Sequence, residues 1–577
     1  GAFVLLVIMA LWWKPWARNS APPVGTQWEQ LTDFDSVSQP ALSPDGHLLA
    51  FIRGPDTFIA AGQIYVKLLP NGEAKQLTDD NTQKMGVAFS PDGSQITYTA
   101  LDDKFSWNTY SVPVLGGAPQ IMLPNAAGLT WISNHQLLFS EIKSGINMGI
   151  VTADDSRMHE REIYLPPTAR GMAHRSALSP DGHSVLVVEM DNAGWQPCRL
   201  VPFKGSDAGR LVGPLDSQCT NVAWSPDGKW MYFSAAKLGG FHLWRQNVLG
   251  GEPQQITFGP TEQEGIAVDP NGKFLITAAG TKQSELWLHD EKGERQISSE
   301  GFAAGYTFSS DGKQLFYMVL DYTVGAQGFI SGTLRSADLK TGVITQVLPG
   351  VAMSEYDLTH DGKQVVFAAY DEQRKPHLWM APLDRSAPPR QLFAEEADQP
   401  RLTDSGVIYY RARKDNINHL FRYKADGTRE EVGNVLVNEL DGVSPNGKWV
   451  TAWTQDPADP NHSGNFAINT QDGSFVRPCQ ACGIYWSPDG HYLVVFSDPL
   501  DRTTSTVVRD QTQTLVISLK PGEDLPKIPA GGWQSAADFK GYKVQQFSGI
   551  AIPSPGGHGY VYPKRTAHRN LFRIPLG

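Results

Sequence analysis

The sequence predicts an all-β chain folded as two β-propellers of four-stranded blades, six plus six, preceded by a truncated transmembrane helix. Three observations carry this expectation. A short turn motif, Ser-Pro-Asp-Gly with its variants, recurs twelve times. Most copies lie about 40 to 50 residues apart, the spacing of a four-stranded blade. Alternating apolar strands flank the copies, with no helical periodicity between them.

The chain has 577 residues, too many for one ordinary domain. Charged residues are 19% and hydrophobic residues 41%, a globular balance and not a disordered one. The 56 Gly and 40 Pro call for many turns, and the 16 Trp and 18 Tyr suit strands. A net charge of −11 argues against nucleic acid as a partner, because that binding neutralises phosphates with cations.

Residues Ala2 to Trp13 are unbroken apolar sequence. Twelve residues are fewer than the roughly 20 a spanning helix needs. The chain begins with Gly1 and not Met, so residues 1–18 read as a truncated anchor. Trp12, Trp13 and Trp16 beside Lys14 fit an interfacial belt. A signal-peptide core is the rival reading. Lys14 and Arg18 on the downstream side mildly oppose an outside location for the rest of the chain. Residues 19–27 form a polar linker.

The motif occurs intact at Ser43–Gly46, Ser90–Gly93, Ser179–Gly182, Ser225–Gly228 and Ser487–Gly490. Variants start at Asp269, Ser309, Thr359, Thr403 and Ser444, with degenerate copies near Ser133 and Pro553. Pro fixes φ at the second turn position, Asp bonds the nearby backbone, and Gly accepts the positive φ that ends the turn. These acids therefore read as turn builders. Third strands follow, such as "HLWRQNVL" from His242, "ELWLHD" from Glu285 and "NLFRIPL" from Asn570. Trp244, Trp287 and Trp379 recur there as packing residues between blades.

The ends suggest ring closure. "EQLTD" at Glu29 to Asp33 is a fourth strand lacking its first three, and the chain ends on a third strand. The expected division is 28–293 for the first propeller and 294–577 for the second. In it the Glu29 strand pairs with the third strand at Glu285, and the Arg295 strand with the one at Asn570. A five-plus-seven split uses the strands equally well. The longest unit, Asp498 to Gly549, is expected to carry an extra hairpin or loop.

The repeats resemble those of TolB-like, WD-repeat-like bacterial propellers over Trp28 to Gly577. The apolar start, "WEQLTD", "FSEIKSGINMGIVTA" at Phe139 to Ala153 and the final "RNLFRIPLG" also resemble the extracytoplasmic region of bacterial eukaryotic-like serine/threonine protein kinases. This resemblance implies a membrane-tethered, periplasmic sensor whose kinase domain is absent from the chain. A protein, peptide or glycan ligand in the cell envelope and a homodimeric state fit the same reading. A group with a winged-helix domain in place of the kinase has the same layout. A TolB-like envelope scaffold is the alternative.

No catalytic, cofactor or metal residue is expected. The chain has no Gly-x-Ser-x-Gly, Walker loop, His-Glu-x-x-His or calcium loop. It also lacks the kinase glycine-rich loop and His-Arg-Asp, and "ADFKG" at Ala537 to Gly541 sits in propeller context. His159 to Glu162 lacks a second His. An enzyme site in a propeller channel, built without a linear motif, stays open. Cys198 and Cys219 lie on consecutive strands and suit a disulfide. Cys479 and Cys482 form Cys-x-x-Cys, read as a local disulfide, with a redox-active pair as the alternative. A four-thiolate zinc site would need the two pairs to meet, and in a cytosolic chain all four would be free thiols. His242, His377 and His419 precede third strands and read as turn-edge residues.

Overall fold

The computed structural model describes residues 28–576, apart from 55, 81, 102–105, 145–146, 168–170, 192–193, 206, 238–239, 322–330, 374, 415–416, 458–462, 480–481 and 497–512. The expected anchor over 1–18 and the linker over 19–27 lie outside the described residues, as does the start of the long unit at Asp498. Among the described residues, no helix is long and apolar enough to cross a membrane.

The described regular structure is β-strand, apart from 3-10 turns at Ala536–Asp538 and Pro555–Gly557. The first sheet shows the unit. Val37–Leu42, Leu48–Arg53, Gln63–Leu68 and Ala74–Gln76 form an antiparallel meander. Strand alternation sends Ala50 and Ile52 of the second strand to one neighbouring sheet, where they pack with Phe89, Ile96 and Tyr98. Leu49 and Phe51 face the other neighbour and pack with Ile276, Ala278 and Leu571. Both faces of a blade are thus buried, and the packing is sheet on sheet around a ring, a β-propeller.

The turn motif fixes both the hairpin and the contact to the next blade. Ser225 Oγ donates to Asp227 Oδ1 at 2.6 Å and accepts the Trp230 N–H at 2.9 Å. Asp227 Oδ1 accepts the Lys229 N–H at 3.1 Å. The same bonds recur at Ser43, Ser90, Ser179 and Ser487. The hydroxyl and backbone N–H donors hold these carboxylates below the usual range, at about 2 for Asp92; in the variant copy at Ser309 the Lys313 ammonium, and then the Ser309 hydroxyl, hold Asp311 at about 2. Gly228, at φ +69°, lies against Pro180 of the preceding copy, as Gly93 lies against Pro44 and Gly46 against Pro270. Ser225→Ala removes the hydroxyl acceptor of the partly buried Trp230 N–H. It is expected to lower unfolding stability by about 1–3 kcal/mol, measured by urea titration.

The inner strands of the first ring follow one another in contact, from Val37–Leu42 through Gln83–Phe89, Ala127–Trp131, Met172–Leu178, Gln218–Trp224 and Glu262–Val268, and back to Val37–Leu42. Most inner strands carry a β-bulge, for example between Ser38 and Ala41, which re-aims a side chain at the ring centre.

Ring closure differs from the expected pairing. Glu29 and Gln30 pair with Arg573 and Phe572, and not with the strand at Glu285. Gly293–Gln296 instead pairs with Trp287 to Asp290. Two long strands cause the exchange. Phe274–Asp290 and Gly559–Pro575 are antiparallel partners from Phe274↔Pro575 to Asp290↔Gly559. One half of this ladder joins Glu262–Val268 and Glu29–Gln30 in the first ring. The other half joins Gly293–Gln296 and Ile552–Pro553 in the second. A cut at residue 293 therefore separates strands that pair, because first-ring strands come from both ends of the chain.

Cys198 and Cys219 form a disulfide, Cα–Cα 5.5 Å, joining one blade to the first strand of the next. Cys479 and Cys482 form a second, Cα–Cα 6.0 Å. It packs on Trp533 and Phe539 of the 519–543 connection in the long unit.

Candidate binding channel

The two ring centres differ. In the first, residues 56–61 cross the mouth, and Ala60–Ala61 pairs with Gln83 and Lys84. The bulge residue Gln39, at φ +52°, donates from Nε2 to the Phe58 carbonyl at 2.7 Å. Its Oε1 accepts from Arg175 at 2.7 Å. The Phe58 ring lies 4.9 Å from His174 and 4.8 Å from Trp195, and the Arg175 guanidinium sits 5.7 Å from it. Lys282 pairs with buried Asp56 at 3.7 Å. The segment is a plug made by the chain itself.

Charges gather beneath it. Burial lowers the Arg175 pKa to about 10. Burial, and then Glu264, raises the Glu262 carboxyl above its usual range. Arg569 is 1% exposed, and none of its three guanidinium nitrogens has a hydrogen-bond partner among the described residues.

The second ring encloses an open cavity of about 310 Å³. Its walls come from the inner strands Phe302–Phe308, Glu355–Leu358, Ala397–Leu402, Glu439–Val443, Gly483–Trp486 and Ile552–Pro553. Arg401 braces the wall. It pairs with Glu355 at 2.9 Å and donates to the carbonyls of Pro400, Leu440 and Asp441 at 2.8–2.9 Å. Asp357 accepts the Leu402 N–H at 2.7 Å and the Leu358 N–H at 2.8 Å. Burial nonetheless raises its pKa. Tyr356 Oη donates to the Gly305 carbonyl at 2.6 Å, and burial raises its phenol well above the ordinary value. At the turn-motif end, His360 stands 3.3 Å from Asp404.

Sequence reasoning singled out none of these residues as a site, and read His360 and Asp404 only as parts of turn copies. Yet Glu355 and Asp357 stand four and two positions before the turn at Thr359, and Asp441 three before Ser444. Inner-strand positions upstream of each motif copy are the signal that points to the channel. The cysteine pairs lie apart from the cavity and from each other. His242 contacts Gln263 at 2.8 Å, His377 Asp371 at 3.1 Å and His419 Glu431 at 2.9 Å. None of the three lines the cavity. Among the described residues, no group of three or more His, Cys, Asp or Glu is placed to hold a metal ion.

No protein family profile matches the chain. The Bacillus subtilis (strain 168) protein described as uncharacterized peptidase YuxL is 21% identical over 215 residues, 36% of this chain. The match spans about 30% of that relative's length. Among solved structures, a protein described as a TolB from Agrobacterium tumefaciens gives a TM-score of 0.35 at 15% identity, covering 50% of this chain and 99% of that one. TolB from Acinetobacter baumannii gives 0.27 at 14%, covering 58% and 76%. Tricorn protease gives 0.33 at 11%, covering 90% and 54%. At these scores the likenesses add nothing to the strand pairing, which carries the fold.

Proposed function

We propose that this chain is a ligand-binding double propeller of two six-bladed rings, with the ligand channel in the second. The observation that carries the reading is the contrast between the centres: the first is plugged by residues 56–61, and the second is an open cavity of about 310 Å³. Enclosed clefts with a few placed polar groups are the usual form of a small-ligand site. Six inner strands around one cavity support the six-plus-six count.

The wider setting follows from the sequence resemblance. The propellers form the membrane-tethered, periplasmic sensor of a receptor-type serine/threonine kinase or a winged-helix regulator, with a TolB-like scaffold as the alternative. Glu355 and Asp357 of the channel are engaged with Arg401 and with wall N–H groups, which favours binding over catalysis at these two.

Affinity selection tests the channel. The full chain is incubated with pooled envelope peptides, glycans and small metabolites, and retained ligands are read by mass spectrometry. Thr307→Trp, which fills the cavity wall, is expected to lose the retained ligand while keeping the wild-type circular dichroism. Equal retention by both proteins overturns the channel reading. The coding sequence upstream of Gly1 tests the setting: a kinase or winged-helix domain is expected, and a cleavable signal peptide leaves the scaffold.

A further inference from the structure

Resting on the channel reading, we infer that the ligand of the second ring presents a positive charge: a primary amine or a guanidinium, on a free small molecule or on a peptide side chain. The channel holds more negative than positive groups. Glu355, Asp357, Asp404, Glu439 and Asp441 line it, against Arg401, Arg565 and the imidazole of His360; Arg411, outside the lining, also interacts with Glu355 and Glu439. Arg401 is engaged with the wall, by one carboxylate and three carbonyls. Arg565 lies 5.6 Å over the Phe302 ring.

Enclosure makes this imbalance matter, because charge pairs strengthen as water is excluded. Asp357 shows the enclosure. Burial holds its carboxyl above the usual range although two N–H donors and Arg401 favour the ionised form. That is how a desolvated carboxylate behaves. An entering cation favours its ionised form, a neutral sugar leaves it as it is, and an anion opposes ionisation.

The aromatic lining is the independent second feature. Tyr306, Tyr356, Tyr485 and Trp486 border the same space. Aromatic faces attract cations, more strongly in desolvated surroundings. Arg565 over Phe302 is an internal instance of that contact in the channel wall. The net charge of −11 draws cations toward the protein at low salt.

Calorimetric titration of the full chain tests the inference. The probes are agmatine and acetyl-Ala-Lys-Ala-amide, with the peptides carrying Gln or Glu in place of Lys as controls. At least one cationic probe is expected to bind about tenfold or more tighter than the Gln peptide. Its affinity is expected to fall about tenfold in Glu439→Gln or Asp404→Asn and to weaken as salt rises. Binding of agmatine alone identifies a free amine, and binding of the Lys peptide alone a peptide side chain. If the Gln or Glu peptide binds as tightly as the Lys peptide and loses binding in Thr307→Trp, the charge inference falls and the channel reading stands. If neither cationic probe binds, the charge inference falls as well, and affinity selection decides the channel reading on its own.

Discussion

Expressed alone, residues 28–293 are expected not to fold, whereas residues 283–566 are expected to fold as a complete second ring. The strand ladder dictates both outcomes. The first ring lacks a third strand in its closing blade unless Thr566 to Pro575 is present, because those residues pair with Phe274 to Gln283. They also supply Leu571 and Ile574, which are buried against the blades on either side. Truncating one buried Leu or Ile costs about 2–5 kcal/mol, and a domain has about 5–15 kcal/mol in all. Removing the strand removes several such contacts and leaves Glu29–Gln30 without a partner. The second ring is different, since its closing blade uses Ile552–Pro553, the first half of Gly559–Pro575, the second half of Phe274–Asp290 and Gly293–Gln296. All of these lie within one continuous stretch, so the second ring is an insertion in the first. Limited proteolysis and near-ultraviolet circular dichroism of the two fragments read the result. A protease-resistant 28–293 with native aromatic dichroism would mean the long ladder is dispensable. Joining Thr281 directly to His568, its register partner, through a two-residue turn is expected to restore a foldable first ring.

The exchange between rings shows where sequence reasoning stops. Each turn motif announces itself because its physics is local: a hydroxyl, a carboxylate and a glycine within six residues. Strand identity is local too, so the third strands at Glu285 and Asn570 are legible as third strands. Which ring each one closes depends on partners hundreds of residues away, and the two strands share one apolar pattern. A weak signal was present. Phe274 to Asp290 and Gly559 to Pro575 run 17 residues each with no turn between second and third strand, unlike the other units. The channel was hidden for a related reason. Its wall takes six short inner strands from distant parts of the chain, and only its turn-motif end, with His360 and Asp404, falls in motif copies. The plug over the first ring was also illegible, because Phe58 and Asp56 fall in an ordinary loop sequence whose role depends on Gln39, Arg175 and Lys282.

That plug rests on a histidine whose protonation is expected to set the acid sensitivity of the first ring. His174 is 2% exposed and packed among the rings of Phe58, Trp107 and Trp195 at 4.9–5.8 Å. Neither ring nitrogen has a hydrogen-bond partner among the described residues. Burial, and then the neighbouring Arg175, lowers its pKa to about 3 from an ordinary value of 6.5. Between those values the unfolded chain binds a proton that the folded chain refuses. The contribution is therefore complete above pH 6.5 and is lost as pH falls toward 3, by about 1.4 kcal/mol per pH unit. Glu262 and Asp357 act in the opposite sense, since their raised values let the folded state take a proton first. The difference between wild type and His174→Leu removes those shared terms. From pH 6.0 to 4.5 the wild type is expected to lose about 2 kcal/mol relative to the variant, measured by urea titration at each pH. Hydrogen exchange at residues 56–61 should rise over the same interval in the wild type only, because a charged imidazole beneath Phe58 faces Arg175 and no acceptor. Parallel stability profiles in the two proteins would show that His174 stays neutral at no cost, and the link between acid and the plug would be lost.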